Sequence, residues 1–172
     1  MRLRTAWIGL LLLGCSNSRW LPPDIEQDQQ LQALGEAGYQ RLCSAFEDYI
    51  REEYEASHLI QALCLAHGIQ TTSTASACGD AVNACTDNLP PSAEATLQEI
   101  LAQASCETVG VNPVGCAATV ADIKACLDGL EDQLDEVKFS LVCAAAGQTF
   151  DAAWWRIDLP QPCVALRTIC PG

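Results

Sequence analysis

The sequence predicts an all-α fold: a disulfide-stapled bundle of about four to five helices with an irregular C-terminal tail. Three observations carry that expectation. Val120, Ile123, Leu127, Leu130, Leu134, Val137 and Leu141 recur at three-four spacing, the period of a helix with one buried face. Tyr39, Cys43, Phe46, Ile50, Glu53, Ser57, Ile60, Cys64 and His67 repeat with the four-three rhythm of a second long helix. Eleven cysteines in 172 residues are far more than an intracellular chain of ordinary composition carries.

The chain opens with Arg2 and Arg4 before an apolar run, Ala6 to Leu13, that is too short to cross a bilayer and has the form of an export signal. Leu12-Leu13-Gly14-Cys15 resembles the lipobox of bacterial lipoproteins. That resemblance implies removal of residues 1–14, a diacylglyceryl thioether on Cys15 and acylation of the new amino terminus. Ser16 after the cysteine implies, by the same resemblance, transfer to the outer membrane. Two or three acyl chains anchor stably where one is marginal. Residues 15–37 are expected to form the lipidated N-terminus and a polar tether, kept extended by Pro22-Pro23, with Asp24 capping a short helix that Gly35 and Gly38 interrupt.

Residues 38–172 are expected to form the helical domain. Its first helix runs from Tyr39 to His67 with Gly68 as C-cap, placing Cys43 and Cys64 on one stripe about 31 Å apart. They cannot bond to each other. After the Thr71–Thr74 loop, Ser76 to Asp87 forms a short helix with Cys78, Val82 and Cys85 on one side, closed by Asn88-Leu89-Pro90-Pro91. Folding back antiparallel brings Cys78 toward Cys64, and a Cys64–Cys78 bridge is expected. Ser92 opens a third helix with Leu97, Ile100, Leu101 and Ala104 inward and Cys106 at its end.

Gly110, Asn112-Pro113 and Gly115 mark a turn-rich connection to the longest apolar stripe. Thr119 with Asp122 has the spacing of a capping box, and the helix it starts is expected to end near Gly147. Asp122, Lys124, Asp128, Glu131, Asp132, Asp135, Glu136 and Lys138 are assigned to its outer face. Trp154-Trp155 are expected to pack the tail over the bundle, ahead of a helical turn from Cys163 to Cys170. Cys78/Cys85 and Cys163/Cys170 share the spacing C-x6-C, so each must look outward to another element.

With Cys15 consumed by lipid, Cys43, Cys64, Cys78, Cys85, Cys106, Cys116, Cys126, Cys143, Cys163 and Cys170 remain, an even set that implies five disulfides. No gap matches the C-x(2–4)-C knuckle of a zinc site, and no C-x-x-C redox pair occurs. Without Arg2 and Arg4, 7 basic residues face 22 acidic ones, a formal charge of −15 that excludes nucleic acid as a partner. The same charge leaves lipid on Cys15 as the means of holding the membrane.

Cys116-x3-Val120, Cys126-Leu127-x2-Leu130-x3-Leu134, Cys143-Ala144-Ala145-Ala146-Gly147 and Cys163-x6-Cys170-Pro171 together resemble uncharacterised cysteine-rich lipoproteins of the myxobacterial type. The likeness spans Cys106 to the C-terminus and implies location and class, with no activity attached. No Gly-x-Ser-x-Gly elbow or glycine-rich phosphate loop is present. Glu55-x-x-His58 has the spacing of a helical di-iron ligand pair, yet that site needs two such motifs, and a solvated acidic face is the better assignment. His67 beside Cys64 fits a helix-capping histidine next to a bonded cysteine better than a nucleophile pair. The expectation is therefore a non-catalytic, lipid-anchored envelope protein without metal or cofactor, acting on an unknown protein partner or as a structural element. The alternatives are a carrier of a small apolar ligand between locked helices, and a hydrolase with an unrecognised site.

Overall fold

The computed structural model describes residues 19–139, 141–148 and 156–170, and among them the regular structure is helical apart from one isolated antiparallel bridge between Gln30 and Thr119. Helix α1, Leu31–Ile50, passes through a π-helical segment, Arg51–Leu59, into α2, Ile60–Thr71. Gly35, at φ 65° and ψ 178°, breaks α1 near its start, a conformation open to glycine because it has no Cβ. Helices α3, Ala75–Asp87, and α4, Pro91–Gln103, follow, then a single turn α5, Cys106–Val109. The long α6, Val120–Phe139, a 3₁₀ turn at Cys143–Ala145 and α7, Gln161–Ile169, complete the order. Helix α3 pairs with α2 and α7 with α6, while α6 also meets α1 and the π segment.

One continuous core holds these elements. Leu42, Phe46 and Ile50 of α1 share one buried cluster with Ile123, Leu127, Leu130 and Leu134 of α6, Ile100 of α4 and Leu166 of α7. The stripe expected on α6 is thus the buried one through Leu134. Val137 and Leu141 add nothing to that test, since the side chain of Val137 lies outside the described residues and Leu141 is beyond the helix end at Phe139. The helix expected to reach Gly147 stops eight residues short, and Gly147, at φ 83°, lies in a separate turn.

The segment expected to be a tether belongs to the domain from Trp20 onward. Trp20 is 5% exposed, packs edge-on against Phe46 at 5.2 Å between ring centroids, and donates its indole N–H to Asp128 at 3.3 Å. Ile25 and Leu31 are buried in the same core. The carbonyls of Gln29 and Gln27 accept the backbone N–H groups of Val120 and Ala121, both at 2.8 Å, satisfying donors that the first turn of α6 leaves free. Asp122 Oδ2 accepts from both the backbone N–H and the hydroxyl of Thr119, at 2.7 and 2.8 Å, so the aspartate half of the expected capping box forms, while the Asp122 N–H goes to the Thr119 carbonyl at 3.1 Å.

All ten domain cysteines pair. Cys43–Cys106 ties α1 to α5, Cys64–Cys85 ties α2 to α3, and Cys78–Cys143 ties α3 to the 3₁₀ turn. Cys126–Cys163 joins α6 to α7, and Cys116–Cys170 joins the loop before α6 to the end of α7. The Cα–Cα separations run from 4.5 to 5.6 Å, inside the bonding range. The expected Cys64–Cys78 bridge is corrected, and the cause is a misplaced helix end. Gly68 is not a C-cap: α2 continues to Thr71, so Cys64 sits almost one turn deeper in the α2–α3 hairpin. The cysteine facing it at that depth is Cys85, two turns below Cys78.

Candidate functional site

The most developed polar arrangement is built where the π segment meets α6. An α-helical stripe from Tyr39 would turn Glu53 and Ser57 inward, and polar residues at two successive inward positions are the sign of a register break. The π segment supplies that break by widening the turn, so Tyr54 and Leu59, five apart, take the inward positions at 2% and 0% exposure. The Tyr54 hydroxyl shares its single proton between Glu131 and Asp135, each at 3.2 Å, and Tyr49 donates to the same Glu131 at 2.6 Å. The sequence pattern alone puts Glu131 and Asp135 on the outer face of α6. Together with Asp128, which takes the Trp20 N–H and an ion pair from Lys124, they instead form an acidic stripe turned toward the N-terminal half of the domain.

Electrostatics lock the phenols in their neutral form. Burial, then the charge of Glu131 and Asp135, raises Tyr54 far above its ordinary value. Burial followed by the Glu131 hydrogen bond does the same for Tyr49. A phenol that keeps its proton donates to carboxylates well and serves poorly as a base or nucleophile. This cluster is therefore a clasp between two helices. Its sequence signal was the repeat of acids at 128, 131 and 135 beside the leucine stripe.

A second feature is a trough along α1. Clefts of about 450 and 440 Å³ share Tyr39, Gln40, Gly110 and Val111, and a third of about 210 Å³ continues past Glu47 and Glu107 toward Arg51. Glu36 accepts from Gln40 at 3.5 Å, while Glu47 and Glu107 form no ion pair among the described residues. The Tyr39 hydroxyl is shielded from solvent and lacks a hydrogen-bond partner, and burial pushes its pKa up to about 12. Carboxylates, amides and a phenol can hold cationic or hydrogen-bonding groups.

Cys15 and Trp154-Trp155, the expected lipidation site and tail aromatics, lie outside the described residues. His58 Nδ1 lies 2.7 Å from the backbone carbonyl of Glu53, and its ring meets Tyr54 edge-on at 6.0 Å. Cys64, the neighbour of His67, is bonded to Cys85. Among the described residues no group of three or more histidine, cysteine or acidic side chains is placed to hold a metal ion. None of their helices is long and apolar enough to cross a membrane. Five long-range bridges mark a domain that matures in an oxidising compartment outside the cytoplasm. No family model matches the chain, and no curated protein or solved structure matches it either.

Proposed function

We propose that this chain is an exported lipoprotein, held to the outer membrane by acyl groups on Cys15, whose helical domain has a non-catalytic structural or partner-binding role in the cell envelope. The pairing of the cysteines carries the reading. Ten of eleven are consumed in bridges, and the one left over is Cys15, at the end of Leu12-Leu13-Gly14. The likeness to cysteine-rich myxobacterial lipoproteins supports the same class.

The interaction role is favoured over an apolar-ligand carrier by the walls of the trough. A carrier needs a pocket enclosed between helices, whereas the two larger clefts along α1 are open to solvent and all three carry carboxylate and amide groups. Intact-mass measurement of the protein from membrane fractions tests the reading. The expected mass is that of residues 15–172 with two or three acyl chains, gaining ten hydrogens on reduction. A chain retaining residues 1–14 without acylation refutes it.

A further inference from the structure

The position of Trp20 in the core limits how far the domain can stand from an anchor at Cys15. Only Ser16 to Arg19 separate the two residues. Five Cα–Cα steps at most about 3.6 Å each give a reach of about 18 Å. The helical path from Gly38 through the π segment to Thr71 gives the domain a length of about 50 Å. The connection is shorter than half that length and is fixed at its far end by Phe46 and Asp128.

Resting on acylation of Cys15, we propose that the surface formed by residues 19–28 lies against the lipid headgroups and that the domain is held in one orientation. In that orientation the α1–α2 axis rises from the membrane and the α2–α3 turn is the remote end, Ser73 being about 40 Å along the helical path from Phe46, the contact of Trp20. Pro23, Asp24, Glu26 and Asp28 are exposed on the anchored face. Arg19 is exposed there as well and Asp24 is paired with Arg41 at 2.7 Å, so the face is charged with a small acidic excess. These charges keep it at headgroup level rather than in the acyl layer, and the acidic excess favours a zwitterionic headgroup over an anionic one. The domain is therefore a surface-hugging module, and a partner reaches it from the side or from the α2–α3 end.

The test uses the full acylated protein in phosphatidylcholine vesicles containing a trace of acceptor-labelled headgroup. A donor is placed through an unnatural amino acid at position 26 or at position 73, leaving every cysteine untouched. Energy transfer at position 26 is expected to exceed that at position 73 at least twofold. Inserting 25 glycine and serine residues between Ser18 and Arg19, a spacer with a root-mean-square reach of about 28 Å, is expected to abolish the difference. Equal transfer in the native-length protein overturns the proposal, as does a difference that survives the insertion. The intact mass of the same sample separates the two readings. An unacylated chain refutes the lipoprotein assignment, whereas an acylated chain with equal transfer refutes only the orientation.

Discussion

At Tyr54 a phenol 2% exposed to solvent lies between two carboxylates, and its chemistry sets the behaviour of the domain in alkali. The protein has three tyrosines, and all three have raised pKa values, Tyr39 to about 12 and Tyr49 and Tyr54 further. A group whose folded pKa exceeds its unfolded value near 10 contributes stability that is whole below pH 10 and declines as pH rises beyond it. Tyrosinate absorbance near 295 nm, read within seconds of mixing to outpace alkaline loss of disulfides, is expected to show no step at pH 10. It should rise only from about pH 11, as Tyr39 begins to ionise, or with unfolding, while the denaturation midpoint falls from pH 10 upward. A normal step near pH 10 in the folded protein would refute the buried, carboxylate-bound assignment. Tyr54→Phe is expected to cost about 1.5–3 kcal/mol at neutral pH, the usual worth of a hydrogen bond to a charged group, and to make the alkaline decline shallower.

Helix α6 shows how far spacing alone carries an element. Leu127, Leu130 and Leu134 are 0–1% exposed, as their three-four repeat requires, and truncating Leu130 or Leu134 to alanine is expected to lower stability by about 2–5 kcal/mol in chemical denaturation. Gly129 on the same helix is a sharper case, because two effects oppose each other. Alanine there gains about 1 kcal/mol of helix propensity. Its Cβ, however, would lie 2.9 Å from Cβ of Pro160, a rigid ring at the start of α7 that Cys126–Cys163 prevents from backing away. Overpacking of this kind costs about 1–3 kcal/mol, so Gly129→Ala is expected to be net destabilising, with a lowered denaturation midpoint as the measure. What the sequence could not disclose was set by geometry between elements. Gly68 looks like a helix stop in isolation, yet it lies inside α2 and is there for close approach: a Cβ would meet the Cys78 carbonyl oxygen at 3.0 Å and its sulfur at 3.1 Å. The π segment was visible only as two polar residues at inward positions, and Asp128, Glu131 and Asp135 look like solvated surface until Trp20, Tyr49 and Tyr54 are folded onto them.

Across the whole molecule the five bridges fall into separate staples. Cys64–Cys85 and Cys78–Cys143 bind α2, α3 and the 3₁₀ turn, Cys126–Cys163 and Cys116–Cys170 bind α6, α7 and the preceding loop, and Cys43–Cys106 clamps α1 to α5. Nine of the ten bridged cysteines are buried, from 0% to 8% exposed, and Cys143 alone is partly open to solvent. Thiol–disulfide exchange begins with attack of a thiolate on a sulfur it can reach, so accessibility decides which staple opens first. Graded reduction by a dithiol in the absence of denaturant, followed by alkylation and peptide mass mapping, is expected to give first a species labelled at Cys78 and Cys143 alone. The bridge closes a loop of 65 residues, worth about 4 kcal/mol by loop entropy when taken by itself and less here, because Cys64–Cys85 already constrains part of that loop. Its loss is therefore expected to loosen the α2–α3 end, seen as faster amide exchange in residues 60–87, while α6 and α7 keep their protection through two intact staples. Early labelling at Cys126 or Cys163 would contradict the burial on which this order rests. Uniform loss of protection along the chain would show instead that the staples act as one cooperative unit.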